Sequence, residues 1–322
     1  MNRHKNPEMY MKKGKKLPYF EGWYYKQVDA TTQHTISFIP SVSFNKDSST
    51  AYIQAIYQNG DDLTADICEY DITAFKTADD VFQVSVDQSH FSDKGIDIDF
   101  GGEKLSIEGE IRFSDLVRLD YSRLRPNIMG AFSYLPFMQC NHGVISMRHD
   151  LSGSLNINGE DVVFDDGVGY IEKDWGSSFP KDYIWMQCGH FDEKDTTSLF
   201  FSAAHVPFPF RDFRGFLCNL LLDGEQYRFA TYTGAKLDMQ TSPGKVDISI
   251  RDKQHKLGIV AVSKDTKELL APIDGEMSRK IRESLKGSLA IELINRRDGS
   301  VIYQDKSSHA SIEVIEAEKS DK

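Results

Sequence analysis

The stretch GYIEKDWGSSFP, from Gly169 to Pro180, places Glu172, Lys173 and Asp174 against Trp175. In an extended chain Glu172 and Asp174 share one face while Lys173 is directed to the other. Two carboxyls on one face repel as anions and hold a proton between them, and burial beside an indole disfavours the anion further. Such a pair suits general-acid chemistry in an apolar setting. The plainer reading is a salt-bridged turn leading into a strand. Glu21, just before Gly22-Trp23, repeats the motif of an acid beside an indole and is a further candidate acid, or a solvated residue at a strand entry.

His142 and His149 fall in CNHGVISMRH, seven residues apart, so a strand would send them to opposite faces and they are poor co-ligands for a metal. His142 could tune or relay a proton, or simply hydrogen-bond a backbone carbonyl. Cys140 and His142 alone do not make a closed metal site, and no metal is expected. Trp23, Tyr24, Tyr25, Trp175 and Trp185 offer electron-rich faces for a developing cation, with Gln187 as a polar neighbour. The alternative is that they are ordinary barrel core. The chain has no GxSxG elbow and no P-loop, and the glycines of DGVGYIEKDWG are wrongly spaced for a dinucleotide fingerprint.

The elements that must position these groups read as all-β. Hairpin signals stand at Asn59-Gly60, Asn158-Gly159, Asp223-Gly224 and Asp298-Gly299. In GEKLSIEGEIRF, Leu105, Ile107, Gly109 and Ile111 alternate with Lys104, Ser106, Glu108 and Glu110, which predicts one buried and one wet face. Helical spacing is confined to EMSRKIRESL, where Met277, Ile281 and Leu285 recur every fourth residue, and a peripheral helix is predicted there. A weak repeat relates the strand around Trp23 to that around Trp185: each reaches a glutamine, Gln27 or Gln187, and then a polar turn and a second strand ending near a proline. The expectation is two antiparallel β-barrel domains, residues 1–165 and 166–322, because closure removes exposed strand edges. RLRPNIMGAFSYLPFMQ reads as an irregular crossing, and HVPFPFRDFRGF as a strand connection or a lid over lipid.

Composition narrows the function classes. The chain has 322 residues, a net charge of −11 and no basic stripe interleaved with aromatics, which disfavours nucleic acid as a partner. No run approaches the roughly 20 apolar residues of a membrane-spanning helix. The N-terminal lysines, Lys12, Lys13, Lys15 and Lys16, have no apolar segment behind them, so a cytoplasmic location is expected; they form a solvated arm or a peripheral contact with an anionic membrane. Oligomeric state is not readable.

EGWYYK, PNIMGAFSYLPFMQCNHGVISM, GYIEKDWGSSFP and the closing SSHASIEV occur in the order in which the tocopherol cyclase family carries similar runs, and the chain resembles that family in both halves. The resemblance implies a pair of calycin-like barrels, similar to those of carotenoid hydratases, and a lipophilic substrate with a prenyl or polyene tail. It also implies ring closure by protonation of a prenyl double bond, without a redox cofactor. The expected activity is an acid-promoted cyclase, isomerase or hydratase, and the alternative is a lipocalin-like carrier of a hydrophobic small molecule.

Cys68, Cys140, Cys188 and Cys218 are far apart with no CxxC pair, and in a reducing compartment they would be free thiols. All four should alkylate after denaturation without reductant; protection of any pair would reveal a disulfide.

Overall fold

The computed structural model describes residues 6–11, 16–122, 125–135, 138–194, 196–207 and 212–316. Among them strand follows strand from Tyr19 to Ile315, broken by short 3-10 turns such as Gly130–Tyr134, and there is no α-helix. Two of the four hairpin signals form turns with both residues at positive φ, and at Asn59-Gly60 and Asp298-Gly299 only the glycine takes it. Asn158 and Gly159 (φ 54° and 88°) and Asp223 and Gly224 (φ 50° and 82°) take the two successive positive-φ positions that suit a tight antiparallel turn.

Two compact units result. The described residues up to Phe179, together with Lys267–Lys280, form the first, and Pro180–Thr266 with the described residues from Ile281 onward form the second. The division lies at Phe179–Pro180 rather than near residue 165, because the strand Val168–Gly176 is central to the first sheet. It pairs with Tyr19–Val28 on one edge and Cys140–Ile157 on the other. That 12-stranded antiparallel sheet begins at Asp62–Asp71 and ends at Phe75–Thr77. Only the turn Ile72–Ala74 separates these end strands in sequence, so the sheet curls into a nearly closed barrel. Leu105, Ile107 and Ile111 point inward as their alternation predicts, and Trp23, Tyr25, Phe38, Phe91 and Phe100 fill the interior.

The second unit repeats the design in an antiparallel sheet whose strand path runs from Glu225–Ala230 to Lys236–Ser242, around a core that includes Met186, Phe201, Leu220, Ile248 and Ile291. The predicted repeat survives as strand pairs, Tyr19–Val28 with His34–Phe44 and Tyr183–Cys188 with Ser198–Val206, but with opposite facing. Trp23 and Tyr25 point into their core. In the second unit it is Ile184, Met186 and Cys188 that do so, which puts Trp185 and Gln187 on the other face. A shift of one residue against a period of two is sufficient to exchange the faces.

The predicted helix at Glu276–Leu285 is instead part of the strand Glu276–Asn295. A spacing of four places residues on one face of a helix but, being even, on one face of a strand as well. The deciding pattern lies beyond the segment, where every odd position from Ile281 to Leu293 is buried. The connection in HVPFPFRDFRGF joins Ser198–Val206 to Phe213–Leu222. Residues 208–211 of it, and Lys12, Lys13 and Lys15, lie outside the described residues.

One charged pair sits within the first core. Lys173 and Glu21 are fully buried, with Nζ 2.6 Å from Oε2. Lys173 also donates to Met9 O at 2.7 Å, and its ammonium lies 4.5 Å from the Trp23 ring and 5.1 Å from the Trp175 ring. Glu21 accepts from Met11 N at 2.7 and 3.0 Å and from Tyr19 Oη at 3.0 Å. The N-terminal segment through Met9 and Met11 is thereby fastened to the barrel. Burial pushes the Glu21 carboxyl above its ordinary range, against the pull of Lys173 and of these hydrogen bonds. Because an unpaired buried charge is the costly state, Lys173→Met or Glu21→Gln alone should lower unfolding free energy by about 3–5 kcal/mol. The double replacement Glu21→Leu/Lys173→Met should cost less than either. Urea denaturation in a double-mutant cycle measures this, and simple additivity would show that the pair is not coupled.

Candidate active site

Since Val168–Gly176 is paired along both edges, each of its side chains must occupy one of two faces. Lys173 and Trp175 go inward, and Tyr170, Glu172 and Asp174 go to the other face. On that face Tyr24 is the cross-strand partner of Glu172, and His142 is the partner of Asp174. His142 precedes the irregularities at Val144–Ser146 and Ser146–His149, so it stays in register with the acids while His149 reaches the interior face opposite Gly169.

The imidazole of His142 is bracketed by two carboxylates. Nδ1 lies 2.9 Å from Asp174 Oδ1, and Nε2 lies 3.3 Å from Glu172 Oε2. Burial alone would lower the ring's pKa, but the charges of Asp174 and Glu172 and their hydrogen bonds override it and lift it to about 10. At neutral pH the ring is therefore an imidazolium between two acceptors. Glu172 Oε2 also accepts from Tyr170 Oη at 2.5 Å. Burial and the Glu172 charge push the Tyr170 phenol well above its usual range, so it remains a neutral donor.

The surroundings hold this arrangement. His142 N donates to Met129 Sδ at 3.1 Å, and Ser37 Oγ donates to Tyr24 Oη at 2.9 Å. The Cys140 thiol, 3.7 Å from Asp174 Oδ1, is kept protonated by burial and by the neighbouring acids, so it is no nucleophile. His142, Glu172 and Asp174 also offer ligand atoms within 4.8 Å of one another, the composition of a metal site. In the arrangement observed, Nδ1 is hydrogen-bonded to Asp174 and Nε2 makes an ion-pair contact with Glu172 at 3.3 Å, so a proton-sharing group and a metal site would draw on the same three residues.

Of the residues singled out by sequence, Glu172, Asp174, His142 and Tyr24 come together. Glu21, Trp23, Tyr25 and Trp175 lie on the interior face, the first in its ion pair with Lys173. Trp175 therefore does not desolvate Glu172 or Asp174; the motif alternates across the sheet. Trp185 and Gln187 belong to the second unit, where Trp185 is the cross-strand partner of Glu313 and Tyr183 Oη donates to Glu313 Oε2 at 2.6 Å. Sequence reasoning passed over Tyr170, although its place two residues before Glu172 in GYIEKDW puts it on the same face. It also passed over Glu313, although this acid lies within the closing SSHASIEV.

Comparison with known proteins agrees with this architecture. The family described as tocopherol cyclase-like matches residues 118–315, a span that includes His142, Tyr170, Glu172 and Asp174. A probable chloroplastic tocopherol cyclase of Oryza sativa subsp. japonica is 25% identical over 206 residues, covering 61% of this chain and 43% of that protein. The chloroplastic tocopherol cyclase of Zea mays is 27% identical over 195 residues, covering 58% and 41%. The alignment thus spans less than half the length of either relative. Among solved structures, a putative AttH from Nitrosomonas europaea superposes with a TM-score of 0.55 at 14% identity, covering 93% of each chain. CghA with Sch210972 gives 0.56 at 9% identity, covering 93% and 89%, and kievitone hydratase from Nectria haematococca gives 0.51 at 11%, covering 92% and 89%. The fold is shared with these structures, and by the match across most of its length the chain belongs to the tocopherol cyclase-like family.

Proposed function

We propose that the protein is an acid-promoted cyclase or hydratase acting on a lipophilic prenylated or polyene substrate, with Glu172, His142 and Asp174 as its proton-handling group. The observation that carries this reading is the buried imidazolium held between two carboxylates. Membership of the tocopherol cyclase-like family, and relatives named as tocopherol cyclases, support it.

The chemistry follows from the charges. Asp174 fixes the Nδ1 side of the ring and leaves Nε2 toward Glu172, so a proton can pass between Nε2 and the Glu172 carboxyl. An alkene is a weak base and accepts a proton only when the conjugate base and the carbocation are both stabilised. The proton given to the alkene is then the Nε2 proton of His142, relayed through the Glu172 carboxyl, and donation leaves a neutral imidazole whose Nδ1–H stays on Asp174. Glu172 and Asp174 then stand as two carboxylates beside a neutral ring, which favours a positive charge on the substrate, and the Tyr24 and Tyr170 rings add π-face attraction worth about 2 kcal/mol where water is excluded. A phenol oxygen of the substrate closing on the cation gives a cyclase; water adding to it gives a hydratase.

Glu172→Gln keeps the shape and removes the carboxyl that would carry the proton to the substrate. On a prenyl-quinol it should lower turnover roughly 10²–10⁴-fold, the usual contribution of a general acid, while binding measured separately is retained. Asp174→Asn should lower kcat less and shift the pH profile, since it acts through His142. Undiminished turnover in Glu172→Gln would remove the acid role, and binding without turnover in the wild type would mark a carrier.

Linkage supplies an independent check. The His142 ring rises from 6.5 to about 10 on folding, so its stabilisation is fully present below pH 6.5 and is lost as pH rises through 10. The stability gap between wild type and His142→Asn should therefore be widest below pH 6.5 and shrink toward pH 10, as read by urea denaturation across that range. A gap that does not vary with pH would mean that the ring is uncharged in the folded protein.

A further inference from the structure

We infer that the interior of the first barrel contains a second polar binding site, formed by Gln27, His149 and Gly169 and suited to one hydroxyl group. It lies on the face of Val168–Gly176 opposite Glu172, and so is separate from the proton-handling group.

The three residues form a row across the sheet: Gly169 is the cross-strand partner of Gln27 on one side and of His149 on the other. Gln27 and His149 are buried, and neither amide atom of Gln27 nor Nε2 of His149 has a hydrogen-bond partner among the described residues. Groups in such a position forfeit their bonds to water and are rarely retained without a reason.

The tautomer of His149 is set by its neighbour. Ser146 Oγ donates its single hydrogen to Arg148 O at 2.8 Å. Its 3.1 Å contact with His149 Nδ1 therefore requires the ring to carry its hydrogen on Nδ1, leaving Nε2 a bare acceptor. Burial and the Arg148 charge hold the ring down to about 3, so it is neutral throughout the physiological range. Gly169 is required for space: a Cβ there would lie 2.1 Å from His149 Nε2 and 2.5 Å from Gln27 Oε1.

The donor set selects the guest. Two acceptors and one amide donor cluster beside the Gly169 backbone, where Phe113 lies 4.3 Å from the His149 ring, Tyr25 stacks on Phe113 at 6.3 Å and the charge that acts on the ring is that of Arg148. A single hydroxyl oxygen can donate to His149 Nε2 and accept from the Gln27 amide at once. A carboxylate lacks the hydrogen, and an ammonium lacks the acceptor and brings an unpaired charge. Water and the hydroxyl end of an apolar ligand share this chemistry.

NMR of the 15N-labelled full chain tests the site and separates the two sources. Cross-peaks from the His149 ring to a long-lived internal water would assign the hydroxyl to water. A shift of His149 Nε2 on titration with phenol but not with toluene would assign it to a ligand. The variant Gln27→Leu/His149→Phe should keep or raise Tm and, in the second case, weaken phenol binding roughly tenfold, as expected for loss of one hydrogen bond. The inference is overturned if the wild type shows neither signal, or if a scalar coupling from the Gln27 amide to His149 Nε2 shows that the two side chains satisfy each other.

Discussion

The strand Val168–Gly176 has a hydrogen-bonded neighbour along each edge, and this double pairing governs much of the first unit. Its backbone has no freedom to turn a charged side chain toward water, so three consecutive ionisable residues must be accommodated on two faces. Lys173 goes inward, where it needs Glu21, the Met9 carbonyl and two indole faces. Glu172 and Asp174 go the other way, where they need His142 and Tyr170. The structural ion pair and the candidate catalytic group thus arise from one alternation, and a shift of register by one residue would exchange them.

The two histidines of the strand Cys140–Ile157 show how strongly placement sets chemistry. Both are buried, and burial alone favours the neutral ring in each. His142 has two carboxylates within hydrogen-bond range and rises to about 10; His149 has a serine, an aromatic ring and a nearby arginine, and falls to about 3. Around these two histidines, one face of the barrel wall therefore carries a ring drawn toward its charged form by acids, while the other carries a neutral acceptor. The two environments can occupy a single wall because the sheet backbone separates them.

The strand pattern, the turns and the family were legible from residues near one another in sequence. Hairpin turns are local, since the glycine of each Asn-Gly and Asp-Gly pair takes positive φ at little cost, and alternation reports burial directly. The helix expected at Glu276–Leu285 was not resolved locally, because a spacing of four suits both helix and strand within ten residues and only the longer run of odd buried positions separates them. The domain division was obscured for a similar reason: a strand's sequence does not name the strands it pairs with.

For the site, the sequence by itself determined that Glu172 and Asp174 share a face with Lys173 opposed, because an extended chain alternates whatever its neighbours. It also determined that His142 and His149 part company. Only the tertiary structure decided that His142, thirty residues upstream, stands between the two acids, that Tyr170 completes the group, and that Glu21 and Trp175 belong to an interior ion-pair cluster instead. The reason is physical: facing is a property of one strand's dihedral angles, whereas which side chain meets which depends on strand order, register and bulges, and these are set by burial across the whole sheet.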